Sequence, residues 1–159
     1  REVGNYLVAR SMKERRLKTP RIWIFLAGGL AASAVSIGAY HAHGLESALS
    51  GRDISPAEVE SRLDNCELAV RYQMTHAIAL LVLGLARTQI ASRAVDAAAV
   101  FLCLGLLGFC GGLYAIVAGI ELHWSIVPLG GVILIASWVL VALAGWGRLG
   151  ASNTPASPA

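Results

Sequence analysis

Charged side chains are spread unevenly along this chain, and four stretches carry none: Ile22 to Leu45, Tyr72 to Ala86, Ala97 to Ile120 and Leu122 to Gly147. A bilayer hydrocarbon core about 30 Å thick takes roughly 20 helical residues to cross. The first, third and fourth stretches meet that length unaided. The second reaches it only by starting near Leu68, with Arg71 inside the helix but close enough to its end to snorkel to the headgroups. The pattern predicts an all-α, polytopic integral membrane protein with four transmembrane helices in an antiparallel bundle, over residues 22–41, 68–86, 95–119 and 126–146. They form one transmembrane domain, 22–147, between a basic leader, 1–21, and a Pro/Ser/Ala tail, 148–159, that offers no core-forming side chain.

Between the first two spans, Ser55, Pro56 and Glu58 read as N-cap, first helical position and the acid of a capping box. Val59, Leu63, Cys66 and Val70 then recur at helical spacing, with acids and Arg62 opposite, so 56–70 is an amphipathic outer segment. Its stripe has three candidate beds: the membrane surface, the 41–53 loop, or a partner. A helix resting in the interface is the simplest of these.

Composition agrees with the spans. Of the 159 residues 56% are hydrophobic, 17 more are glycine, and 14% are charged, against roughly 25% in a soluble domain; mean hydropathy is +0.63. The net charge of +3 conceals a sidedness. Arg1, Arg10, Lys13, Arg15, Arg16, Lys18 and Arg21 precede span one, Arg87 and Arg93 flank the turn between spans two and three, and Arg148 follows span four. Only Arg52, Arg62 and Arg71 fall on the other side, among seven acids. Both termini are therefore expected in the cytoplasm. A basic inner face suits anionic lipid and, set beside an acidic outer face, argues against nucleic acid as a partner. A basic leader before an apolar run also describes a cleaved signal peptide, but Tyr40 and Ala42 would then occupy positions that want small residues.

Small residues recur four apart where helices are expected to meet. Gly28, Ala32 and Ser36 form one ridge of span one, and Ala34, Gly38 and Ala42 another. Span three has Gly111, Ala115 and Gly119 beside a Gly108 and Gly112 pair. In lipid such ridges permit the close approach that supplies packing contacts. Spacing alone leaves open whether the partner helices belong to this chain or another. Cys103 and Cys110 lie about 10 Å apart along one helix, too far to pair, and Cys66 is expected to face the outer side.

The four histidines gather toward one side in this reading. His41 and His43 close span one, His76 lies one turn inside span two, and His123 occupies the outer turn. Tyr72, Gln73, His76 and His43 are expected to form a structural polar cluster pinning two helices. A metal ion or haem held by His43 and His76 with His41 or His123 is the alternative, because neutral imidazoles from facing helices are ordinary ligands. It lacks an HxxxH pair, an inward Glu-x-x-His and a cysteine at ligand spacing. A transporter needs an ionisable residue at mid-bilayer, and none is visible; Asp96, in the first turn of span three, simply complements the helix dipole. No nucleophile is paired with a base and no glycine loop is built to cradle phosphate, so no enzyme is expected.

Beyond this, the run Gly38-Ala39-Tyr40-His41-Ala42-His43-Gly44-Leu45, then Tyr72-Gln73-Met74-Thr75-His76-Ala77-Ile78-Ala79-Leu80, then Gly112-Leu113-Tyr114, then Pro128-Leu129-Gly130-Gly131 with Trp138, resembles the small membrane-protein family called domain of unknown function 423, the YgdD-like proteins. Eukaryotic transmembrane protein 256 is a distant relative of that family. The resemblance covers about Trp23 to Trp146. It implies a four-helix inner-membrane protein of bacteria without an established activity, in which His43, Gly44, Tyr72, Gln73, His76, Tyr114, Pro128, Gly130 and Gly131 match the family pattern. The chain departs from that pattern at His41 and at Cys110-Gly111-Gly112. The expectation is a non-enzymatic accessory or structural subunit, without a cofactor, whose partners are membrane lipids and other membrane protein subunits. A metal- or haem-binding protein is the second reading and a small transporter the third.

Overall fold

The computed structural model describes the backbone of residues 2–89 and 92–151 and the side chains of residues 21–89 and 92–146. Helix α1 runs Glu2–Tyr40, passes through a five-residue π-helical segment, His41–Leu45, and continues as α2, Glu46–Ser50. Tyr40 and Glu46, on either side of the π segment, keep right-handed helical angles, so the three pieces form one rod. After a short turn come α3, Pro56–Gln89, α4, Arg93–Ala118, and α5, Ile126–Ala151. Four of these helical stretches are long and apolar enough to cross a membrane: Arg21–Ser50, Pro56–Gln89, Arg93–Ala118 and Ile126–Trp146. The side chains of the basic leader and the tail beyond Ala151 lie outside the described residues.

Two boundaries differ from the sequence reading. The first helix does not stop at His41 but continues through the π-helical segment to Ser50, and the amphipathic segment 56–70 is the first half of α3 rather than a separate helix lying on the membrane. At 34 residues α3 is about 51 Å long, well beyond what a bilayer needs. Its acid-rich first half pairs instead with the extension of α1 as a hairpin. Leu45, Leu49, Cys66 and Val117 form a buried core there, with Ile37, Val59, Leu63 and Val70 against it. The apolar stripe on 56–70 thus rests on the segment that follows span one. Cys66, a member of that stripe, is 2% exposed inside this core.

The helices pack in sequence rather than each on all the others: α1 lies along α3, α3 also along α4, and α4 along α5. Closest approach occurs between α4 and α5. A Cβ built on Gly130 would lie 2.2 Å from the backbone nitrogen of Phe109, and one on Gly108 would lie 3.1 Å from the Gly130 Cα. Gly105 and Gly112 receive Leu134 and Val127 from α5 in the same way. Ser137 adds a buried bond across this seam, its hydroxyl donating to the Ala98 carbonyl at 2.8 Å. At the end carrying Arg87 and Arg93, hereafter the basic end, Arg87 Nε donates to Asp96 Oδ1 at 2.7 Å and ties α3 to α4 across their turn. Asp96 therefore has a partner more specific than the helix dipole it was expected to complement.

At the hairpin end α4 stops at Gly119, whose φ of +86° is left-handed. Gly119 N–H donates to Ile116 O and Ile120 N–H to Ala115 O, the paired bonds of a Schellman cap. The carbonyls left over are met by arginines from elsewhere: Arg52 reaches Ala118 O at 3.3 Å and Arg62 reaches Val117 O at 3.4 Å. Gly119, assigned above to helix packing, is a cap.

Candidate functional site

Depth along the helices decides which polar residues form a group. Counting from Arg87 at the basic end, the 30 Å of a hydrocarbon core ends about 20 residues away on α3, near Glu67. Arg71 bonds Glu67 there, one turn apart and both well exposed, as suits a headgroup layer. On α5 the matching distance from Ile126 to Trp146 is about 30 Å, with Trp124 80% and Trp146 78% exposed at the two ends, as in an aromatic belt. His76, about 16 Å along α3 from Arg87, and Trp138, about 18 Å along α5 from Ile126, therefore sit close to mid-membrane.

His76 is 7% exposed and both its ring nitrogens are engaged. Trp138 Nε1 lies 3.2 Å from His76 Nε2, and an indole N–H only donates, so Nε2 accepts. Nδ1 must then carry the proton, which it donates to the Tyr72 carbonyl at 2.7 Å. The imidazole is held neutral in one tautomer. Tyr72 stacks over it at 5.7 Å between ring centroids and leans on Phe109 of α4 at 4.8 Å, while Trp138 meets its edge at 6.0 Å. One turn toward the hairpin end, Gln73, 4% exposed, donates to the Leu30 carbonyl at 2.9 Å and to Ser33 Oγ at 2.7 Å, joining α3 to α1. Polar side chains of α3 thus reach two other helices at mid-depth: Gln73 toward its neighbour α1, and His76 across the groove toward α5. Below His76 an apolar groove of about 280 Å³ opens between α3 and α5, lined by Thr75, Ile78, Val82, Leu102, Trp138 and Val141.

Of the predicted polar cluster, Tyr72, Gln73 and His76 do stand together, but His43 does not join them. Gly38 is level with Val70, where a Cβ on Gly38 would be 3.2 Å from Val70 Cγ1. The helices run in opposite directions from that point, which leaves His41 and His43 roughly 14–17 Å of axial rise from His76. His43 is exposed on the π-helical segment. His123 bonds Ser125 Oγ at 2.8 Å in the turn beyond Gly119. Arg62, which touches the end of α4 there, is about 21 Å along α3 from His76. The expected metal set of His43, His76, His41 and His123 is therefore dispersed, because span two continues into the hairpin and buries His76 deeper than its distance from Tyr72 suggested. Among the described residues no three His, Cys, Asp or Glu side chains are grouped as metal ligands. The same shift sets the ionisable His76 about midway along α3 between Arg87 and Glu67.

The packing residues divide. Gly108 and Gly112 sit in the α4–α5 seam, whereas Gly111 is near only Leu107 of its own helix and Ala115 is half-buried. Among the described residues Gly28, Ala32 and Ser36 meet no other helix: all three are exposed, Gly28 has open space where a Cβ would go, and Ser36 bonds Ala32 O within its own helix. The ridge of span one that does pack includes Ala34, fully buried, and Gly38. Sequence reasoning gave no role to Trp138, Ser33, Gly105, Ser137 or Arg62 as an α4 cap. Ser33 was legible as a hydroxyl facing a mid-span Gln, but the others depend on which helices are neighbours.

A family model described as a protein of unknown function, DUF423, matches residues 37–131. The chain belongs to the DUF423 family. Its matched stretch starts in α1 four residues before the π-helical segment and ends at the Gly130–Gly131 crossing, so it contains the hairpin, His76, Gln73 and the first part of the α4–α5 seam, while Trp138 lies beyond it. A UPF0382 membrane protein of Staphylococcus epidermidis is 34% identical over 78% of this chain and 94% of its own length. The UPF0382 membrane protein YwdK of Bacillus subtilis is 31% identical over 78% of this chain and 95% of its own. No solved structure matches. The DUF423 chain is thus a membrane protein of an uncharacterised family, as the resemblance in its sequence implied.

Proposed function

We propose that this protein is a non-enzymatic accessory or structural subunit of a larger complex in the bacterial cytoplasmic membrane, with both termini in the cytoplasm. The observation that carries this reading is the isolation of α1. Only 11% of the most apolar window of the first span is buried, against 39% for α3, and its one extensive neighbour among the spans is α3. Its outward ridge of Gly28, Ala32 and Ser36 is built for close helix contact, a use that lipid chains do not require. Large exposed side chains suited to lipid lie beside it, Phe25 and Val35 on α1, as they do on α5 with Val132, Ile135, Val139 and Leu143. Sidedness rests on Arg21 and Arg93, both exposed at one end beside the bonded Arg87, where anionic lipid headgroups are the natural partners. At the other end Arg52 and Arg62 serve carbonyls of the fold itself, and Arg71 pairs with Glu67.

Purification of the tagged chain in a mild detergent, followed by mass spectrometry of the intact assembly, tests the proposal. Stoichiometric partner subunits are the expected result. A bare monomer from every mild detergent and from native nanodiscs sinks it.

A further inference from the structure

We infer that the Trp138–His76 hydrogen bond is a proton-sensitive latch between α5 and α3, closed while His76 is neutral and released when the ring takes a second proton. The geometry makes the bond conditional on charge state. Nε2 accepts from the Trp138 indole at 3.2 Å, and Nδ1 already donates to the Tyr72 carbonyl at 2.7 Å. A second proton has to go on Nε2, which turns the acceptor into a donor facing another donor. The bond is then lost and two N–H groups oppose each other.

The surroundings amplify this change. Titratable groups on the packed elements are Tyr72 on α3, stacked against the ring, and Cys103 and Cys110 on α4; the charge-free stretches of α1, α4 and α5 supply no carboxylate at this depth. The nearest acid toward the hairpin end on α3 is Glu67, nine residues or about 13 Å away. Once charged, the ring finds no carboxylate at this depth to pair with, so it has reason to leave its site, not merely to lose one bond. Trp138 closes one side of the groove between the two helices and is itself 47% exposed, so its freed ring turns toward lipid and the groove widens. The latch is independent of whether α1 binds a partner.

The test uses the wild-type chain in nanodiscs, labelled with ¹⁵N at tryptophan and histidine, followed by NMR from about pH 8 to about pH 5, the range in which histidines commonly change charge. The His76 Nε2 resonance is expected to change from bare to protonated nitrogen, and the Trp138 indole signal, assigned with W138F, to shift over the same pH interval. Broadening of that indole signal by acyl-chain spin-labelled lipid is expected to increase as it shifts. In H76Q, which cannot titrate, the Trp138 signal stays constant. A wild-type Trp138 signal that does not move over this range overturns the latch, as does one that moves while His76 Nε2 keeps its state. Because both resonances are read in the wild-type protein, the result does not depend on H76Q folding.

Discussion

Trp138 donates its indole N–H to the Nε2 of His76, 62 residues away in sequence and 3.2 Å away across the α3–α5 groove. The bond fixes the histidine as the Nδ1-protonated tautomer and accounts for the nearly buried imidazole without any ligand. It also shows why a buried polar side chain at this depth is tolerated: each of its polar atoms has a partner.

Replacing Trp138 by Phe removes the donor and leaves Nε2 unpaired in an apolar setting. Interhelical hydrogen bonds in membranes contribute on average roughly 0.6 kcal/mol, and at most about 1.7. Lost indole packing adds to this, so W138F is expected to lower the thermal midpoint in detergent by a few degrees at neutral pH. A W138F midpoint equal to wild type by tryptophan-independent circular dichroism shows that the bond contributes nothing to stability.

The α4–α5 crossing makes a sharper prediction. A Cβ on Gly130 meets backbone atoms of Gly108 and Phe109 at 2.2–2.8 Å, contacts that no rotamer change relieves, so the helices must separate. Overpacking of this kind costs about 1–3 kcal/mol or more. G130A is expected to be markedly less stable, whereas G29A, in open space, stabilises slightly because alanine is the better helix former. Equal melting of the two variants contradicts the crossing.

These cases show what was legible in the sequence. Charge-free lengths identified all four spans, because desolvating a charge costs far more than any packing detail returns; the Ser55 cap was visible in its spacing, and its Oγ accepts from Glu58 N–H, whereas the Glu58 carboxylate turns to Arg62. The 56–70 stripe and its spacing were also visible, but not what the stripe rests on, since an apolar face is equally satisfied by lipid or by a neighbouring helix. His76 was placed too shallow because its depth was counted from Tyr72, the first uncharged position, although a span that starts near Leu68, beside the Arg71–Glu67 pair, puts it eight residues in. The single histidine layer followed from that miscount. Which ridge of span one packs inward was beyond reach, because both carry small residues at the same spacing and only the placement of Val70 and Gln73 on α3 selects Ala34 and Gly38.

Arg87 and Asp96 bridge the turn at the basic end with side chains 12% and 29% exposed. Removing one partner leaves a partly desolvated charge, which costs about 3–5 kcal/mol for fully buried pairs and less at this half-wet site. D96A and R87A are each expected to destabilise the fold, and D96A more than D96N, which keeps a hydrogen-bond acceptor for Arg87 Nε. Chemical denaturation of the reconstituted protein gives the order directly; equal stability of D96A and wild type removes the bridge from the account.

The last prediction separates a folding role from a partner role at the ridge of α1. Gly28 has nothing within 4 Å of a built Cβ and Ala32 is exposed, so leucine at both positions points away from the described core. Leucine also exceeds glycine in helix propensity by several tenths of a kcal/mol or more. G28L/A32L is therefore expected to melt at or above the wild-type temperature. The same side chains fill the notch that allows another helix backbone to come close, so subunits that co-purify with wild type are expected to be lost from the variant. Unchanged stability with unchanged partner recovery assigns the ridge to lipid, and a loss of stability in the isolated chain places a helix of this protein against it.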